Sequence, residues 1–344
     1  MHARLARGLV MLGLLVSIAA CADPATAPTL QRASKVVVAR SVTLTDLGTL
    51  GGTSGQAMGI NSAGQIVGSS LTAAGDEHAF LWQDGAMTDL GTLGGRSSVA
   101  YGINGAGQVV GQSETSAGEL HAFLWEDGVM TDLGTLGGRL SLATAINPAG
   151  QIAGFSTTAT STVGRAFIWQ RGEMTELPRL SENSSFAWGL DPAGDVVGSS
   201  ATRANDNHAV LWTRGAVIDL GTLGGTESEA RSINAAGLVV GVSLADNGFP
   251  RAFRWERGTM EELPSLGGRG SLAHAVNAAG QIVGSSETAS GGSHAVIWQG
   301  EELIDLGTLG GSSSFALGIS SSGQVVGASF TTSGALDPVL WSVR

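Results

Sequence analysis

Asp89-Leu90-Gly91-Thr92-Leu93-Gly94-Gly95 returns, residue for residue, from Asp46, Asp132, Asp219 and Asp305, and in altered form from Glu176 and Glu262. The steps between successive copies are 43, 43, 44, 43, 43 and 43 residues. A tryptophan keeps the same period, at Trp82, Trp125, Trp169, Trp212, Trp255, Trp298 and Trp341. So does a turn phrase led by Asn61, Asn104, Asn147, Asp191, Asn234, Asn277 and Ser320. Seven occurrences of each marker define seven units covering residues 44–344, and self-similarity at this period is the sequence mark of a repeat architecture.

Within the second unit four strand-like segments stand out. Ala100–Asn104 reads as strand A, Gln108–Gly111 as strand B, His121–Trp125 as strand C, and Met130–Leu136 as strand D. In the Gly105-Ala106-Gly107 turn the glycine suits the left-handed position of a type I turn with a bulge, and Glu126-Asp127-Gly128 reads as another glycine hairpin turn. Strands B and C are continuously apolar, so both faces of the sheet must be covered. Four antiparallel strands per unit of about 40–45 residues predict a propeller blade. The expected fold is therefore all-β, a seven-bladed β-propeller. The chain opens with an orphan strand D (Thr43–Leu50) and ends with an orphan strand C (Asp337–Trp341), so the N-terminal strand is expected to close the last blade. Pro178 and Pro264 are expected inside strand D, which would make D the outer edge, because proline cannot donate to a ladder.

The phrases His78-Ala79-Phe80 and His121-Ala122-Phe123 resemble the HAF repeat, named for that tripeptide and found in bacterial proteins with predicted extracellular location. The resemblance covers residues 44–344 and extends to the Leu-Trp, Asp-Leu-Gly-Thr-Leu-Gly-Gly and Gly-Gln-Val-Val-Gly phrases. Departures are Arg165 and Arg251 for His, Val210 and Val296 for Phe, and Asp337-Pro338-Val339 in the last unit. The resemblance implies secretion and a repeat fold. It supplies no catalytic residues.

The chain's composition agrees. Of 344 residues 53 are Gly, only 14% are charged and 42% are hydrophobic, which excludes a disordered chain. The formal charge is −11, and the one lysine, Lys35, leaves no basic stripe to neutralise phosphates, which argues against nucleic acid as a partner. Residues 1–20 read as a secretion signal, with His2, Arg4 and Arg7 before an apolar run from Leu9 to Ala20 that is too short to span a bilayer. Ile18-Ala19-Ala20-Cys21 resembles a bacterial lipobox, so Cys21 is the expected lipidation site. The alternatives are a free, buried cysteine or an ordinary signal cleaved nearby. Residues 21–40 are expected to be the lipidated cysteine and a flexible tether, and 41–344 the propeller. The protein would then sit in the bacterial cell envelope, bound to the membrane through its lipid.

Chemistry is sparse. The chain carries no nucleophile elbow, Walker loop, His-Glu-x-x-His or EF-hand loop, so no catalytic residue, metal or cofactor is assigned. His78, His121, His208 and His294 share one position of strand C, which suits capping of each blade better than a shared metal. The seven periodic Trp read as core, and the repeated Asp of strand D as a turn or edge residue. One position of strand A differs in every unit: Met58, Tyr101, Thr144, Trp188, Arg231, His274 and Leu317. If strand A is innermost, these side chains ring the mouth of a central channel and form a candidate site for a carbohydrate, peptide or protein ligand. The competing reading is that they only wedge between blades. Three functions stay open: a non-catalytic binding module, a hydrolase or lyase on envelope glycans using His274, Arg231 and an acid such as Glu229, and a structural surface protein.

Overall fold

A computed structural model describes residues 35–38 and 41–343. The expected signal segment and Cys21 lie outside these residues. The described chain is all-β. Its second unit shows the pattern: Gly94–Ile103, Val109–Thr115, Leu120–Glu126 and Val129–Asp132 pair antiparallel in sequence order, A to B to C to D. The same order starts at Gly51, Gly137, Ser185, Gly224 and Gly267. The last three strands, Gly310–Ile319, Val325–Thr331 and Leu336–Val343, take their fourth partner from Val42–Asp46, which pairs antiparallel with Val339–Val343.

Five of the C-to-D hairpins turn on two residues with positive φ, such as Asp127 (52°) and Gly128 (83°), whose twist matches that of the strands they join. Cores form between neighbouring units rather than within them. Val67 of the first unit packs with Ala100, Val109 and Phe123 of the second. Val326 of the last unit packs in the same manner with Ala57, Ile66 and Phe80 of the first. An asparagine stitches the units together: the Asn61 amide nitrogen donates to the Asn104 carbonyl at 3.0 Å, and its carbonyl oxygen accepts from Ala63 and Gln65 in its own turn. Asn104, Asn147, Asn234 and Asn277 repeat the bond to the next unit.

Three expectations need correction. Strand D does not run to Leu136 but stops at Asp132, and strand A begins at Gly94, so half of the repeated phrase is a crossover between units. Pro178 and Pro264 therefore lie beyond strand D, which ends at Glu176 and Glu262, and do not mark its edge. Their carbonyls instead accept Trp212 Nε1 at 2.6 Å and Trp298 Nε1 at 2.7 Å. Of the periodic tryptophans, Trp212, Trp298 and Trp341 are buried, whereas Trp82, Trp125, Trp169 and Trp255 are half-buried. Among the described residues strand D pairs only with strand C in most units, which makes it the outer edge. The sixth unit is the exception. Lys35–Val38, within the segment expected as tether, pairs parallel with Glu302–Asp305.

Candidate functional site

Strand A pairs with strand B through a register shift that every unit shares: between Ala57 and Gly59, Ala100 and Gly102, Ala143 and Ala145, Ala187 and Gly189, Ala230 and Ser232, Ala273 and Ala275, and Ala316 and Gly318. The skipped residues are Met58, Tyr101, Thr144, Trp188, Arg231, His274 and Leu317. Each variable position is thus the extra residue of a β-bulge. A bulge frees one residue from the ladder and re-aims its side chain, so this residue has no cross-strand partner to fix its type.

The surrounding sequence is shaped to hold the bulge. The glycine closing the Gly-Gln-Val-Val-Gly phrase faces it across the sheet, and a Cβ on Gly111 would overlap the Val99 carbonyl oxygen. The small residue after the bulge meets the next unit. A Cβ on Gly59 would lie 3.2 Å from the Tyr101 carbonyl oxygen, and one on Gly318 would lie 3.0 Å from that of Met58. Bulge backbone therefore packs on bulge backbone from unit to unit, including from the last to the first.

All seven side chains are half-buried. Three of them meet. The Arg231 guanidinium lies 5.2 Å from the centre of the Trp188 ring, within cation–π range. Arg231 also pairs with Glu229. His274 feels burial first and then the Arg231 charge, and both lower its pKa to about 3, which keeps the imidazole neutral at neutral pH. Trp188 is held from behind by Phe155 at 5.6 Å, edge to face, and lies parallel to Phe186 at 6.3 Å. On the second unit, burial and then the Glu77 carboxylate push the Tyr101 phenol pKa up. Thr144 is differently engaged, donating to Ala153 and Ala187 carbonyls at 3.1 and 3.0 Å. Two of the ring's polar atoms, Tyr101 Oη and Trp188 Nε1, are buried without a hydrogen-bond partner among the described residues. A lost partner at a buried polar atom costs about 1–3 kcal/mol, so each such atom calls for an explanation.

Sequence reasoning missed the strand B neighbours. Ser69, Gln112, Phe155, Ser199, Val242, Ser285 and Ala328 occupy one strand B position and also vary between units. Gln112 Oε1 is another unpartnered buried atom. Comparing strand B as strand A was compared would have found them.

The four strand C histidines are capping residues. His78, His121, His208 and His294 bind Asp89, Asp132, Asp219 and Asp305 of their own units through Nδ1 at 2.8–2.9 Å. Each Asp also accepts a backbone N–H two residues on, such as Gly134 at 2.7 Å, and so holds the turn out of strand D. Among the described residues no three His, Cys, Asp or Glu side chains converge as a metal-binding group.

No family model matches the chain, and no curated protein matches it. Among solved structures it is similar to XC5397, a gluconolactonase from Xanthomonas campestris, at 11% identity with a TM-score of 0.50, over 89% of this chain and 91% of that one. It is similar to a puromycin-hydrolysing peptidase from Mycobacterium tuberculosis at 12% identity and a TM-score of 0.50, over 88% of this chain and 56% of that one. TolB from Acinetobacter baumannii matches at 14% identity and a TM-score of 0.47, over 68% of this chain, which spans 63% of TolB. At such identities the likeness speaks for the fold alone, and that fold is propeller-like.

Proposed function

We propose that this chain is a seven-bladed β-propeller of the HAF-repeat type, closed by Val42–Asp46, secreted and anchored in the bacterial cell envelope through lipid on Cys21. It works as a non-catalytic binding module. Its ligand, a carbohydrate or peptide bearing an anionic group, is taken at the bulge ring, where Trp188, Arg231 and His274 are adjacent. Met58, Tyr101, Thr144 and Leu317 line the rest of the ring. The observation that carries this reading is the pair of buried, unpartnered donors, Tyr101 Oη and Trp188 Nε1, in a ring whose other members all differ. Arg231 gives an anionic group a partner on an otherwise acidic chain. His274, held neutral, suits hydrogen bonding better than proton transfer near pH 7.

A glycan and peptide array probed with the full chain identifies the ligand. Trp188→Phe and Tyr101→Phe then remove one donor each while keeping the ring that packs. Both variants should fold, with Tyr101→Phe equally or more stable, and each should lose about tenfold in affinity. Unchanged affinity in both would place the ligand elsewhere. The anchor is tested separately: Cys21→Ser should release the protein from the membrane fraction and abolish fatty-acid labelling.

A further inference from the structure

The outer strands are not equivalent. In the residue before the final acid, strand D carries Thr88, Thr131, Thr175 or Glu261 in four units and Thr45 in the last, polar choices that discourage pairing at an open edge. Two units carry isoleucine there: Ile304 in the sixth and Ile218 in the fourth. The sixth edge is occupied. Lys35–Val38 pairs with it in parallel, Val37 opposite Ile304, and Leu303 and Ile304 are 0% and 7% exposed. Among the described residues the fourth edge, Ala216–Asp219, pairs only with its own strand C, Asn207–Thr213, and Ile218 is 41% exposed.

A second feature sets the fourth edge apart. A pocket of about 190 Å³, lined by Ile168, Leu177, Pro178 and Trp212, opens beside the first residue of this strand, Ala216. The pocket reaches the end of the strand where a docked segment would begin or finish.

We propose that Ala216–Asp219 is a docking edge for an extended strand of a partner protein, apolar and β-branched like Val36-Val37-Val38, added in parallel register. Main-chain hydrogen bonds to the free edge supply affinity, Ile218 selects an apolar neighbour, and the pocket receives an apolar side chain at the strand's end. The sixth unit shows how such a strand sits on a strand D with isoleucine at this position. The occupant comes from a partner because each copy's own Lys35–Val38 is already paired with Glu302–Asp305. This docking edge is independent of the bulge ring.

The test titrates a fluorescent peptide with the sequence of residues 34–39 into the full chain and follows anisotropy. Saturable binding at one site is expected, weakened about tenfold or more by Ile218→Thr, a residue that units one to three carry at the same place. Ile218→Thr should leave thermal unfolding unchanged, since the side chain is exposed. Absence of saturable binding, or equal affinity in Ile218→Thr, overturns the proposal. Self-association of the full chain that Ile218→Thr abolishes would also overturn it, by assigning the edge to a second copy.

Discussion

His121 Nδ1 stands 2.8 Å from Asp132, and at the same eleven-residue spacing Arg165 meets Glu176 and Arg251 meets Glu262. The exchange has a third member. Where the acid is Asp, the residue two further on is a glycine with positive φ, 73° at Gly134, whose N–H the Asp accepts. Where the acid is Glu, that residue is Pro178 or Pro264, which has no N–H to be capped. The carbonyl partner changes too, from Ser141 Oγ on Gly134 to Trp212 Nε1 on Pro178. His-Asp-Gly and Arg-Glu-Pro are two complete solutions of one corner.

Mixing the two solutions should be costly. Gly134→Pro alone forces a residue with φ near 73° to adopt −65° and removes the N–H that Asp132 caps. A loss of about 2 kcal/mol or more is expected. Adding His121→Arg and Asp132→Glu should recover part of it. Thermal unfolding of the single and triple variants gives the comparison, and equal melting points would refute the coupling.

The last unit breaks the pattern. Asp337 replaces the histidine opposite Asp46, Pro338 replaces the alanine whose N–H a serine accepts in other units, and Gly55 stands where that serine would be. Burial, and then the Asp46 charge, raises the Asp337 pKa above its ordinary 3.8. A carboxyl whose pKa is raised on folding favours the folded state only while protonated. Its contribution is full below about 3.8 and is lost as pH rises through the raised value. Asp337→Asn and Asp337→His should therefore both raise the melting temperature at neutral pH, with the Asn gain shrinking toward about pH 3. A gain for Asp337→Asn that persists at low pH would show that charge is not its cause.

Gly111→Ala should be among the most destabilising small substitutions in the chain. The new methyl would overlap the Val99 carbonyl, and relief requires undoing the bulge at Tyr101. A loss of about 1–3 kcal/mol is expected from overpacking, measured by denaturant unfolding. Ala106→Gly, in an exposed turn of the same unit, is the control and should change little.

The asparagine stitch is absent where the sequence departs from Asn. Asp191 has no amide nitrogen to offer the Asn234 carbonyl. Asp191→Asn should add that bond and stabilise by about 0.5–1.5 kcal/mol. Asn104→Ala should cost about 1–3 kcal/mol, because the Asn147 carbonyl and the turn amides of Ala106 and Gln108 lose their partner. Calorimetry of the two variants settles both signs.

The sequence alone determined the repeat, its all-β character, the hairpin turns and that an N-terminal strand D pairs with the last strand C, though not that this strand stops at Asp46 rather than Leu50. These follow from local periodicity and turn chemistry, which a chain expresses wherever it is read. It also singled out Met58, Tyr101, Thr144, Trp188, Arg231, His274 and Leu317, because variation inside a monotonous repeat is visible without coordinates. Only the tertiary structure decided why these residues vary: each is a bulge residue, set by the register between strands A and B. It likewise decided that strand D ends before its prolines, that His121 answers to Asp132, and that Lys35–Val38 adds a strand to the sixth unit. Such relations depend on which residues face each other across strands and units, and a one-residue change of register reassigns every partner.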